Sequence, residues 1–389
     1  MDGQALLAAF ATLEASSPWT NFETANGQEA ADIAAWVNAE ANGQNPAPPT
    51  LATKFGQGYV GSLIAMAATA APPPPPTKTV PFNGGDLAAF INQRSPGDLV
   101  VCNAPGTLST PITKAATAAA RIVVDGQGHV FTGRWDFRTS AAWIEVHHFG
   151  HLDTVPRASG HQQSGAFGGH DLYFHDFHMS NGHTKIGYEI INSSFGVGQR
   201  IRFDRYRVHG IGQFFASKAA CQAAGFGSPQ QWVDGRWVPN NDHGFYDVGF
   251  ATQHTDGLVY DCTDRAYQQR GSTGSSLQYV TWAHCGEGYI LGDLAAKNNL
   301  LARFVAIDRM VAARFLIEEY DPSNSDAANA ARDGFVFNHD GAYPIGSTHS
   351  VAYTNVSKTV DPQLSANYLP APGSPAAGYG CRVVPPTYF

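Results

Sequence analysis

The chain has 389 residues, a net charge of −8 and only 14% charged residues, against 43% hydrophobic and 12% aromatic ones. An acidic balance argues against a general nucleic-acid binder, which is usually basic, and so few charges suit an extracellular or particle-borne β protein whose surface is solubilised by Ser, Thr, Asn, Gln and Gly. The five cysteines, Cys102, Cys221, Cys262, Cys285 and Cys381, form no C-x-x-C pair, so neither a zinc motif nor a disulfide framework is expected and the thiols read as free and buried.

The N-terminus, Met1-Asp2-Gly3, has no basic residue before an apolar run, so no secretory signal is expected. The most apolar window, 59–71, is too short to span a bilayer. Residues 1–71 read as a helical module. "DGQALLAAFATLEASS" and "QEAADIAAWVNAEANG" repeat apolar side chains at three- and four-residue steps, and a third stretch, 51–71, is apolar but Gly-rich. Helices this short need a surface to pack on. The module is therefore either an attachment and oligomerisation element or a small cap on the domain that follows. Five prolines (72–76) then favour an extended spacer over 72–79.

From residue 80 to about 356 the chain changes character, to short β-branched and aromatic runs separated by turns. One pattern recurs: apolar, x, apolar, x, x, apolar, x, large. It is found as Ile144-Val146-Phe149-His151, Leu172-Phe174-Phe177-Met179 and Ile201-Phe203-Tyr206-Val208. It is read again as Leu277-Tyr279-Trp282-His284 and Leu300-Ala302-Val305-Ile307. Starts at 144, 172 and 201 lie 28 and 29 residues apart, and those at 277 and 300 lie 23 apart. Alternation puts side chains on one strand face, and the extra x marks a corner. A coil of this length cannot bury its apolar face alone, whereas stacked coils can. The expected fold is all-β, a right-handed parallel β-helix with a short N-terminal α-helical module.

"SPGDLVVCNAPGTLSTPITK" (95–114), "RIVVDGQGHVFTG" (121–133) and the preceding "DLAAFINQR" resemble the opening coils and capping helix of the pectin-lyase-like β-helix superfamily. The resemblance covers roughly 80–340. It implies the fold, and a fold that serves polysaccharide lyases, hydrolases, phage tailspikes and adhesins alike. Lyases of that family use a neutralising Ca²⁺ or Arg with a Lys or Arg base. No matching Lys falls in the middle coils here, a departure from the lyase pattern, and no cofactor is expected, Ca²⁺ being the one the resemblance would allow.

Four carboxylates are candidates if the chain is an enzyme: Asp247, Asp261, Asp264 and, one coil later, Glu287. Adjacent coils can bring two of them to the spacing that glycoside hydrolysis needs; the alternative is that they serve turns and solvated faces. Between Val208 and Phe245 the coil rhythm breaks. The insertion 216–242 carries Trp232, Arg236 and Trp237, candidates for stacking on and bonding to sugars, unless they pin the loop to the wall. Arg202 and Arg207 point outward and suit acidic sugars.

"GGHDLYFHDFHMSNGH" (168–183) resembles a metal site at first sight. Aligning the coils instead stacks His148, Asp176 and Arg205 in one column, His147, His175 and Asp204 in the next, and His178 under Arg207. No metal is expected, because ligands would have to converge on one point. His178 joins the glycan-binding candidates, while His151 and His284 are expected to point into the core. The Pro- and Gly-rich segment 357–389 reads as an arm, on a neighbouring subunit or loose. These features suit a phage tail-associated protein, in the virion or otherwise extracellular. It would be a homotrimer joined through 1–71 to other tail proteins, its body binding cell-surface polysaccharide. No nucleic acid and no membrane span are expected. The alternative is a polysaccharide lyase or glycoside hydrolase.

Overall fold

The computed structural model describes residues 17–42 with a few positions on either side. It also describes 76–156, 163–193, 196–240, 242–293, 296, 298–312, 314–318, 329–341, 345–346 and 351–389. The expected third helical stretch, 51–71, and most of the proline run lie outside these residues.

The body is a parallel β-helix. Among the described residues its long sheet has 13 strands, stacked from Lys78–Phe82 and Asp98–Cys102 up to Ala330–Phe337 and Ala352–Ser357. A second sheet of seven strands runs from Trp135–Phe137 to Ile317–Glu318. Every strand pair within these two sheets is parallel. Connections between parallel strands of one sheet take the right hand for reasons of strand twist.

The predicted corner is a column of left-handed residues. His148, Asp176, Arg205, Asp256, Tyr279, Arg303, Asp333 and Asn355 all have φ between 47° and 55°, and the register stacks them one per coil. Asp, Asn and His tolerate this conformation best. Within the column, ion pairs link neighbours: the Arg205 guanidinium donates to both oxygens of Asp176 at 2.8 and 2.7 Å. His147, His175 and Asp204 share register in the adjacent column, and His178 lies under Arg207, as the alignment of coils predicts.

Inside, like residues stack on like. Phe149, Phe177 and Tyr206 form a continuous ring stack with 5.4 Å between successive centroids, and Phe174 lies on Phe203 at 5.6 Å. His151 is fully buried, bonded to the Tyr188 hydroxyl at 2.8 Å and the Gly133 carbonyl at 2.7 Å. Burial pushes its pKa down to about 4, so it is a neutral core histidine. All five cysteines are free and buried.

His284 does not follow. It sits on the outer wall at φ 51°, beside Asp308 at 3.5 Å. Leu277 pairs with His254 and so shares the column of Phe203 and Phe174, not that of Ile201. The expected pattern in this coil is therefore displaced by two residues, which moves Tyr279 to the corner and His284 outside. The coil at 300 is displaced by one, and its inward residues are Leu301, Phe304 and Ala306. The column begun by Ile144, Leu172 and Ile201 continues as Thr252, Ser275, Asn299 and Asn329, a buried polar ladder. Ser275 N–H donates to Asn299 Oδ1 at 2.9 Å, and Asn299 N–H to Asn329 Oδ1 at 3.0 Å.

Three further segments cover the solenoid. The helix Leu87–Asn92, N-capped by Asp86, buries Leu87, Ala88 and Ile91 against the first coil. This protects an edge that would otherwise offer unpaired backbone. The helices Ser17–Ala25 and Gly27–Ala41 bury Trp19, Phe22, Ile33 and Trp36 in a cluster that includes Ala251 of the body. Glu40 meets the buried Arg200 at 3.5 Å. The segment 357–389 lies on the long-sheet wall of its own chain. Gly380 N–H donates to the Arg303 carbonyl at 2.8 Å, Arg382 pairs with Asp256 at 2.6 Å, and Phe389 stacks on His178 at 4.0 Å.

Candidate functional site

The insertion leaves the coil at Gly212, where φ is 89° and an added Cβ would meet Thr263 Oγ1 at 1.9 Å, so only glycine fits. It then forms a short helix, Lys218–Ala223, capped by the Ser217 hydroxyl, and an antiparallel pair, Gln230–Gln231 with Trp237–Val238. Trp232 is 4% exposed and packs with Val238 and Val311. Its Nε1–H donates to the Thr263 carbonyl at 2.7 Å. Arg236 lies 3.4 Å over the Phe214 ring and bonds Asp234 at 2.7 Å. Trp232 and Arg236 thus pin the loop, and Trp237 is half-buried within it. Val233 N–H bonds the Met310 carbonyl at 2.9 Å, so the loop bridges to a coil nearly eighty residues on.

Between loop and body runs an open cleft of about 530 Å³, lined by Ser228, Gln230, Gln231, Val233, Val311 and Ala312 among others. Its size suits one or two sugar units, and its amide groups suit hydroxyls.

Beneath the loop lies a buried ionic cluster on the short sheet. Arg265 and Glu287 are register partners in adjacent coils. Arg265 reaches Glu287 Oε2 at 3.2 Å and Asp264 Oδ2 at 3.0 Å. Arg314 approaches the same Glu287 oxygen at 3.2 Å, donates to Gln230 Oε1 of the loop at 2.9 Å and also bonds Asn240. Burial drives both carboxyls up to about 7. For Asp264, Arg265 opposes the rise and Glu287 adds to it. For Glu287, Arg265 again opposes and a hydrogen bond with the Glu318 carboxyl adds. Here burial and the like charge of neighbouring carboxyls outweigh the salt bridges to the two arginines.

Of the four carboxylates read from the sequence, the structure brings Asp264 and Glu287 together here. Asp247 is buried elsewhere, accepting from Gly249 N at 2.9 Å and Thr252 Oγ1 at 3.1 Å. Asp261 lies on the other wall, 3.2 Å from His183, which together with His209 outweighs the effect of burial and lowers its pKa. Arg202 is exposed, its guanidinium 4.8 Å from the Tyr173 ring. Arg207 and His178 lie beneath the arm. Arg207 reaches the Pro385 carbonyl at 3.5 Å, and His178 is 1% exposed and accepts from Tyr388 N–H at 3.1 Å. Arg265, Arg314 and Glu318 were not among the sequence candidates. The 22-residue step from Arg265 to Glu287, one coil, is the signal that finds the first of them.

No protein-family model matches the chain, and no curated protein does. Solved structures similar to it include the pectate lyase Pel9A, 14% identical, covering 76% of this chain and 80% of that one with a TM-score of 0.48. The GH136 lacto-N-biosidase from Eubacterium ramulus is 11% identical over 86% and 72% of the two chains, TM-score 0.36. ORF18 of Geobacillus virus E2 is 10% identical over 73% and 51%, TM-score 0.24, so the chain spans about half of that viral protein. Among the described residues no helix is long and apolar enough to cross a membrane. The architecture itself rests on the register of the two parallel sheets: this is a parallel β-helix.

Proposed function

We propose that the chain is a glycan-binding protein of a phage tail, of the tail-fibre or tailspike kind, whose cleft beside the insertion takes a cell-surface polysaccharide. The observation that carries this reading is the cleft's construction. An open trough of about 530 Å³ carries the amides of Gln230 and Gln231 on an otherwise mainly apolar lining, and Arg314 of the buried ion network holds Gln230 from below at 2.9 Å. Such preorganisation lowers the cost of binding. The low share of charged residues and the homotrimer usual in such assemblies belong to the same reading. The helices of 17–41, packed on the flank, are its link to other virion proteins.

The test is calorimetry against purified bacterial surface polysaccharides. Wild type binds at least one, and the double variant Gln230→Ala/Gln231→Ala weakens binding about tenfold or more, as for the loss of two hydrogen bonds to sugar. Absence of binding to any capsular or lipopolysaccharide glycan sinks the reading. Immunogold electron microscopy of parent particles tests the virion assignment separately.

One observation favours a second reading, a polysaccharide-cleaving enzyme. Asp264 and Glu287 lie one coil apart beneath the cleft, both raised by burial to about 7, a carboxyl pair of the type acid–base cleavage uses. At 2% and 0% exposure they meet substrate only if the insertion lifts. Reducing-sugar release, or absorbance from an unsaturated uronate, that Glu287→Gln abolishes would replace the first reading with this one.

A further inference from the structure

The outer wall of the first coils carries a group that neither the cleft nor the arm uses. Asp125 ends the strand Ile122–Asp125, and His147 is its register partner one coil up. His147 Nδ1 and His148 Nδ1 are 3.0 Å apart. Asp125 Oδ1 is 3.3 Å from the second and 3.9 Å from the first. In a regular strand, adjacent side chains point to opposite faces. Here they converge because His148 occupies the left-handed corner, φ 53°.

A single proton on His148 Nδ1, shared between His147 Nδ1 and Asp125 Oδ1, serves the two shorter sides of the triangle, while the 3.9 Å side from His147 to Asp125 is too long for a hydrogen bond. One cation at the centre satisfies all three lone pairs at once. Tetrahedral ligands about 2.0–2.1 Å from Zn²⁺ stand roughly 3.4 Å apart, inside the spread of the three distances observed.

The surroundings suit a preorganised site. The Asp125 carboxylate is oriented by Gln127 N–H at 3.1 Å and by the Gln127 side chain. The His147 ring stacks face to face on His175 at 4.8 Å. His175 is held in turn by Glu145 at 3.2 Å and Asp176 at 2.7 Å. Such outer partners fix ligand orientation. The His148 side chain is 50% exposed, which leaves a fourth position open to water or to a small anionic ligand.

We propose that Asp125, His147 and His148 form a binding site for a first-row divalent transition cation, Zn²⁺ in the first instance. Two imidazoles and one carboxylate match that class, whereas Ca²⁺ takes six to eight oxygens. The cation ties the coil of Asp125 to that of His147.

The experiment is a Co²⁺ titration of the EDTA-treated, dialysed full chain, followed by its visible d–d absorption. One equivalent saturates the bands, Zn²⁺ displaces it, and Ca²⁺ in large excess does not. His148→Ala, at an exposed position, loses the bands while keeping the wild-type circular dichroism. Asp125→Asn weakens them, and His209→Ala, elsewhere on the wall, leaves them intact. Absence of a saturable band in wild type overturns the proposal. So does displacement by Ca²⁺, and so do bands that survive His148→Ala but vanish in His175→Ala.

Discussion

Two walls of this solenoid are each covered by a segment of the same chain, and the covers are held by opposite means. The arm 357–389 lies on the long sheet through backbone bonds, ring stacking and neutral histidines, with one half-exposed ion pair, Arg382 on Asp256. Burial lowers His178 to about 3, with help from His209 and Arg207, and lowers His209 to about 4. The insertion lies over the short sheet on buried charge: Arg265, Arg314, Asp264 and Glu287. The first cover fits a surface that already reads as complementary. The second is bound to charges that would be costly to expose singly to a dry interior. A flank built the first way can peel, whereas a flank built the second way resists until its whole network breaks.

The largest test of that contrast is to break the network. Glu287→Ala or Arg265→Ala removes one partner of a buried pair, and the expected loss is about 3–5 kcal/mol in chemical denaturation, with the insertion becoming protease-sensitive. An equal loss on replacing Arg382 would erase the distinction between the walls. Deleting residues 358–389 comes next. It uncovers Val305, fully buried, and Phe335, each worth about 1.5–3 kcal/mol when exposed. Binding of a hydrophobic dye should rise while the cleft keeps its affinity. Arg382→Ala, at a side chain 43% exposed, should cost less than about 1 kcal/mol.

The smallest effects carry opposite signs with pH, and hydrogen exchange of the two covers reads them. His178 and His209 titrate below the usual ~6.5 of an unfolded histidine, so the unfolded state takes up protons first. Stability from the arm therefore falls as pH drops below about 6.5. Asp264 and Glu287 titrate near 7 against about 4 when unfolded, so the folded state holds the extra protons. Stability under the insertion falls as pH rises from about 4 to 7. Moving from pH 5 to pH 8 should protect the arm and loosen the insertion. Parallel changes in both would show that the charges beneath them do not control them.

How much of this was legible in the sequence follows from where apolar side chains have one partner or two. The coils at 144, 172 and 201 alternate cleanly because their outer faces are polar, and alternation gives their columns the neighbours the register shows. Alternation alone places the coil at 300 one residue out, because Val305 faces outward yet is apolar, being covered by Ala376 and Tyr379 of the arm. Once both faces are apolar, alternation no longer says which is the core, and a one-residue slip exchanges them. The Thr252-Ser275-Asn299-Asn329 ladder escaped for the converse reason, since polar residues there point inward. In the candidate site, Trp232 and Glu287 were legible by type. Their burial depends on how a loop folds over a wall, which spacing along the chain does not encode.

The arm also changes what kind of object the solenoid is. Stacked coils couple only to their neighbours, so an array of them can fray from either end. Here Tyr388 bonds His178 and Asp176 across 210 and 212 residues, while Tyr379 packs on Phe335 near the opposite end. The coil of Phe335 cannot loosen without disturbing a strap that also holds the coil of Asp176 and His178, nearer the N-terminal end. A one-dimensional stack is thereby closed into a single cooperative unit, whose unfolding should follow one transition instead of a progressive melting from the ends.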